Sequence, residues 1–126
     1  AREHGLESLF RQKLAKNLLH PDHLNEETLS LLIRMGQDIG LNRFAAHADA
    51  LATRRPAFGQ LEEVNCPTLL VCGKQDRLCP PGKHYDMLAA LSAAEFHQLP
   101  DCGHLSVLEQ PERTSGILNH WLEMLY

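Results

Sequence analysis

No apolar run in this chain approaches the ~20 residues needed to span a bilayer, which excludes a transmembrane helix within it. The opening Ala1-Arg2-Glu3-His4 lacks the apolar core of a signal peptide. It also lacks an initiator Met, so the expectation is a cytoplasmic protein whose chain begins partway through something longer. Positive charge is scarce. The formal net charge is −4 and the only dibasic pair is Arg54-Arg55, read as a solvated helix end, so there is no basic stripe for nucleic acid. Cys66, Cys72, Cys79 and Cys102 form no C-x-x-C pair, which argues against a zinc ribbon. They read as reduced thiols, with Cys72 packing as a small hydrophobe. His20 and His23 flank Asp22, but Pro21 breaks the segment and no further ligand is near, so no metal site is expected there.

What the chain does have is a change of character near Arg55. Ahead of it everything reads as helix. Leu6, Leu9, Phe10, Leu14 and Leu18 mark one apolar helix face, stopped by Pro21. Asn25 before Glu26 and Glu27 is an N-cap with acidic first-turn residues. Leu29, Leu32, Ile33 and Ile39 continue that helix to Gly40, a C-terminal stop. A third, Ala-rich helix runs from Arg43 to Thr53, and Pro56 and Gly59 lead into a connector. Leu29, Ile33, Met35 and Phe44 read as helix–helix core, with an acyl-binding slot as the competing use. His4, His47, His84, His97 and His120 read as surface or packing residues.

Beyond the connector, strand and helix alternate. Thr68–Cys72 is a short apolar run between Pro67 and Gly73, the pattern of a parallel strand buried on both faces. A helix over Pro81–Leu91 and a second strand over Glu95–Leu99 follow. The last helix opens with Pro111 near its N-terminus and presents Ile117, Leu118, Trp121, Leu122 and Leu125, with Trp121 anchoring it on the sheet. Two parallel strands cannot cover both faces and protect both edges. The fold class is therefore α/β with more sheet required, from residues outside this chain, a partner chain or a second copy.

Two loops carry the chemistry. Gly73-Lys74-Gln75-Asp76 follows the first strand, and Asp101-Cys102-Gly103-His104 follows the second. Both lie at carboxyl ends of parallel strands, where ligands gather in open α/β sheets. A carboxylate at Asp76 that accepts from one ring nitrogen of His104 would fix its tautomer and leave the other nitrogen as a base. Asp101 reads as a turn residue, Gly103 as a backbone-close turn and Ser106 as a polar loop or cap residue. Cys102 reads as structural, with its nearness to His104 as a route to a lowered thiol pKa.

Cys66-Pro67-Thr68-Leu69-Leu70-Val71-Cys72-Gly73-Lys74-Gln75-Asp76-Arg77-Leu78-Cys79-Pro80-Pro81 resembles the acid-bearing segment of α/β-hydrolases. Leu99-Pro100-Asp101-Cys102-Gly103-His104-Leu105-Ser106-Val107-Leu108-Glu109-Gln110-Pro111-Glu112 resembles their histidine-bearing segment, in the same chain order. The resemblance implies the C-terminal portion of that fold: a helical cap over residues 1–58 and core over 59–126. It implies Asp76 as the triad acid, His104 as the base, an acyl substrate and no cofactor. The family's nucleophile elbow, G-x-S-x-G, does not occur: Ser8, Ser30, Ser92, Ser106 and Ser115 all lack those flanks. The leading expectation is a carboxylic-ester or related acyl-bond hydrolase whose serine lies ahead of Ala1. C–C bond hydrolysis, perhydrolysis or haloperoxidation, and acyl transfer use the same triad. An Asp in the elbow would mean dehalogenation or epoxide opening. A different class of reading is a nucleophile-less module that pairs or swaps its sheet edge without catalysis, and a truncated remnant of the enzyme is a third.

Overall fold

The computed structural model describes residues 3–126, with side chains from Gly5 onward, so the side chain of His4 lies outside it. The first helical stretch is α1 (Glu3–Leu9), a π-helical turn (Phe10–Leu14) and α2 (Ala15–Leu18), with helical backbone at both junctions. The π turn changes which side chains face inward. The buried positions are Leu6, Phe10, Ala15 and Leu19, so the step from Phe10 to Ala15 is five residues instead of four. Leu14 and Leu18, placed by simple periodicity on the buried face, sit at its margin instead. The chain leaves the helix at Leu19, whose backbone is extended, two residues ahead of Pro21. His20 before the proline is extended as well, which proline sterics favour.

Asn25 caps α3 (Glu26–Ile39) as its sequence implies. Its side chain accepts from the N–H groups of Glu27 and Thr28, each at 3.0 Å, and Thr28 Oγ1 accepts from Asn25 N–H in return. Gly40, at φ +78°, ends α3 and begins α4 (Leu41–Thr53). Phe10, Ala15, Leu19, Leu29, Leu32 and Ile33 form the core, with Phe44, Leu105 and Leu108 against it. The Phe44 ring meets Phe10 edge-on at 6.1 Å. Leu29, Ile33 and Phe44 are thus packing residues, whereas Met35 is exposed.

The α/β part runs β1 (Thr68–Gly73), α5 (Pro81–Ala90), β2 (Ala94–Leu99), α6 (Ser106–Glu109) and α7 (Pro111–Leu125). The strands pair in parallel from Thr68 opposite Ala94 to Gly73 opposite Leu99. Phe96 of β2 takes the rings of His84, stacked at 5.9 Å, and Tyr85, edge-on at 5.0 Å, both from α5. Leu70 and Cys72 share that face and are buried, while Leu69 and Val71 on the other face are only half-buried. The expectation of a strand buried on both faces therefore holds on one. The physical reason lies in α7, which stands off β2 across a cleft lined by His97, Leu99, Gly116 and Ile117. Trp121 is half-buried, and Leu118, Leu122 and Leu125 are exposed. His47 and His120 are exposed, and His97 is half-buried beside Glu95.

Candidate active site

The two strand-end loops are joined backbone to backbone. Lys74 N–H donates to Leu99 O at 2.8 Å and Gln75 N–H to Cys102 O at 2.9 Å, while Cys102 N–H donates to Gln75 Oε1 at 3.1 Å. Gly73 is where they touch: a Cβ there would collide with the carbonyl oxygens of Cys102 and Gly103. Asp101, at φ +53°, turns the second loop, as a turn-forming Asp can.

This closeness brings Asp76 and His104 together. Asp76 is buried, and its Oδ2 lies 2.9 Å from His104 Nδ1. Its other oxygen, Oδ1, accepts from the N–H groups of Leu78 at 2.9 Å and Cys79 at 2.8 Å. Both oxygens are thereby held, so the carboxylate is not free to rotate away from the ring. The His104 side chain keeps about 29% of its surface exposed against 5% for Asp76, so the pair presents the histidine outward. With Nδ1–H donating to the acid, Nε2 carries the lone pair a general base needs. Among the described residues, no serine or cysteine side chain makes a hydrogen bond to His104.

The helical part holds the histidine loop at three further points. His104 N–H donates to Leu18 O at 2.7 Å, His20 N–H donates to Glu109 Oε2 at 2.7 Å, and His23 Nε2 meets Asp101 O at 3.1 Å. His20 Nδ1 accepts from Asp22 N–H at 3.2 Å. Gly103 is required at this junction, since a Cβ would lie 2.8 Å from both His20 N and Leu18 O.

Two residues depart from their sequence reading. Cys102 is completely buried, and burial, reinforced by nearby Glu109, pushes its thiol up to about 11, the opposite of the lowered value its nearness to His104 suggested. Burial raises Cys72 to about 11 as well. Glu109 was not singled out at all, yet it is a buried carboxylate bonded to three backbone N–H groups. Its place beside Leu105, Val107 and Leu108 was the available signal, since a charge in an apolar stretch must be buried or paired when that stretch packs.

A family model described as the alpha/beta hydrolase fold matches residues 8–111. The chain belongs to this family. Among curated relatives of this α/β-hydrolase chain is the 2-hydroxy-6-oxononadienedioate/2-hydroxy-6-oxononatrienedioate hydrolase of Klebsiella pneumoniae subsp. pneumoniae. It is 29% identical over 117 residues, which are 92% of this chain and 35% of that protein. The corresponding hydrolase 1 of Pseudomonas putida is 29% identical over 107 residues, 84% of this chain and 32% of that protein. A thermophilic esterase from Thermogutta terrifontis superposes with a TM-score of 0.82 at 26% identity, covering 98% of this chain and 48% of its own. The α/β-hydrolase chain thus spans about a third of these curated relatives and about half of that solved structure. Among the described residues, no helix is long and apolar enough to cross a membrane.

Proposed function

We propose that this chain supplies the acid and the base of a catalytic triad to an acyl-bond hydrolase, acting on a carboxylic ester. The observation that carries the reading is the 2.9 Å pairing of buried Asp76 with half-exposed His104 at adjoining strand ends. A serine outside these residues attacks the carbonyl. His104 Nε2 takes its proton and later returns it to the leaving alkoxide, while Asp76 stabilises the imidazolium between those steps. The helical part, residues 1–58, acts as a cap over the core at 59–126. The segment that carries the serine also adds sheet beside β1 and β2. It covers the exposed apolar residues of α7, Leu118, Leu122 and Leu125, so neither self-pairing nor a separate assembly role is needed.

The likeness to the T. terrifontis esterase supports the ester reading. So does an apolar groove of about 210 Å³ lined by Leu31, Leu32, Met35, Leu105, Val107 and Leu108, which begins at the residue after His104. Such a lining suits an uncharged acyl or alkyl group. A second reading rests on the curated relatives. A 2-hydroxy-6-oxononadienedioate contains no ester, so a hydrolase for it must cleave a C–C bond beside the ketone, and the same triad can do so.

The test is hydrolysis by the complete protein of neutral p-nitrophenyl esters against a 2-hydroxy-6-oxodienedioate, with His104→Ala alongside. Ester turnover that His104→Ala abolishes supports the first reading. Turnover of the dienedioate alone supports the second. Ester turnover unaffected by His104→Ala sinks the triad assignment.

A further inference from the structure

Glu109 stands next to the proposed catalytic pair without touching it. Its Oε2 accepts from Gly103 N–H at 2.9 Å and His20 N–H at 2.7 Å, and its Oε1 accepts from Leu105 N–H at 3.0 Å. Gly103 and Leu105 are the residues on either side of His104. One buried carboxylate thus grips the backbone before and after the histidine and ties both points to the helical part through His20. The histidine's own N–H is held by Leu18 O at 2.7 Å, two residues before His20.

All three groups that meet Glu109 are donors. A carboxylate offers only acceptors and can satisfy all three, whereas a glutamine would turn an NH₂ toward one of them. A buried N–H left facing another donor is costly, so the loop would move to relieve it. The His104 ring hangs from that backbone through its Cα–Cβ bond and is held at Nδ1 by Asp76, so a backbone shift moves the ring against its partner.

We propose that Glu109 is a positioning residue for His104: it sets the backbone on both sides of the ring, and so the aim of Nδ1 at Asp76 and of Nε2 at the reacting serine. This rests on the reading of His104 as the general base. A misplacement of the order of 1 Å costs about 100-fold in rate. Glu109→Gln in the complete protein should therefore lower kcat by roughly 10- to 100-fold and leave KM within about twofold.

The experiment uses two readouts on wild type, Glu109→Gln, His104→Ala and Asn25→Ala. The last is destabilised at a helix cap that makes no hydrogen bond to Asp76, His104 or Glu109, and it corrects for lost stability. The first readout is the rate of labelling of the nucleophile by a fluorophosphonate. The second is the ring ¹⁵N and downfield Nδ1–H resonance of His104 by NMR. Slowed labelling and a moved or lost Nδ1–H in Glu109→Gln, with Asn25→Ala like wild type in both, is the expected result. Wild-type labelling together with unchanged His104 resonances in Glu109→Gln overturns the proposal. Absence of labelling in the wild type would instead overturn the serine reading, and the NMR comparison would then decide the role of Glu109 alone. Should Glu109→Gln not fold, Glu109→Asp, which keeps the charge but is one methylene shorter, is read in the same way.

Discussion

Asp76 meets His104 with one oxygen and the backbone of its own loop with the other: Oδ2 lies 2.9 Å from His104 Nδ1, and Oδ1 holds the N–H groups of Leu78 and Cys79. In Asp76→Asn the remaining carbonyl oxygen is claimed by those two donors, which points the new NH₂ at Nδ1. The ring must then accept there and carry its proton on Nε2, the wrong tautomer for a base. Turnover by the complete protein should fall about 10⁴-fold at neutral pH with little change in structure. Rate measurement beside circular dichroism checks this, and activity within tenfold of wild type would contradict it.

Gly103→Ala should destabilise the complete protein. Its methyl would press on His20 N and Leu18 O, both backbone atoms of a segment held by other bonds. Overpacking of this kind costs about 1–3 kcal/mol. Gly82→Ala, where a Cβ meets nothing within 4 Å, is the matched control in urea denaturation.

The four thiols should divide by burial. Cys66 and Cys79 are exposed and should react with a disulfide reagent at pH 8 in the native protein, while Cys72 and Cys102 should react only on unfolding. The raised values also set a pH window. Both thiols stay protonated in the native state up to about 11, against an unfolded value of 9.0. In that interval the unfolded chain binds fewer protons, so stability is intact below pH 9 and falls as pH rises from there towards 11. Denaturation midpoints across that range, compared with Cys72→Ala, test the sign; a midpoint rising with pH would refute it.

Asn25→Ala removes the two N–H bonds that the Asn25 side chain accepts at the start of α3, while the backbone N–H of residue 25 still faces Thr28 Oγ1. A loss of about 1 kcal/mol is expected. Urea denaturation reads it, and turnover per folded molecule should not change.

Elements whose cause is local are legible in the sequence. Asn25, Gly40 and Pro111 mark helix ends through capping and fixed dihedrals, and the run Thr68–Cys72 between Pro67 and Gly73 carries the pattern of a short strand. The sequence also placed Asp76 and His104 at strand ends, because each follows its strand within a few residues. Features that depend on which chain segment lies opposite are visible only once the chain has folded. The π turn that moves the buried face from Leu14 and Leu18 to Ala15 and Leu19 answers to packing, not to any local residue preference. The same holds for the half-covered sheet, since a strand's apolar run does not say whether a second layer reaches it. Cys102 and Glu109 are the sharpest cases. Their environments are made by residues tens of positions away, Gln75 on one side and His20 on the other. Burial pushes the Cys102 thiol up although a histidine is near in sequence, and it makes Glu109 the anchor of the histidine loop.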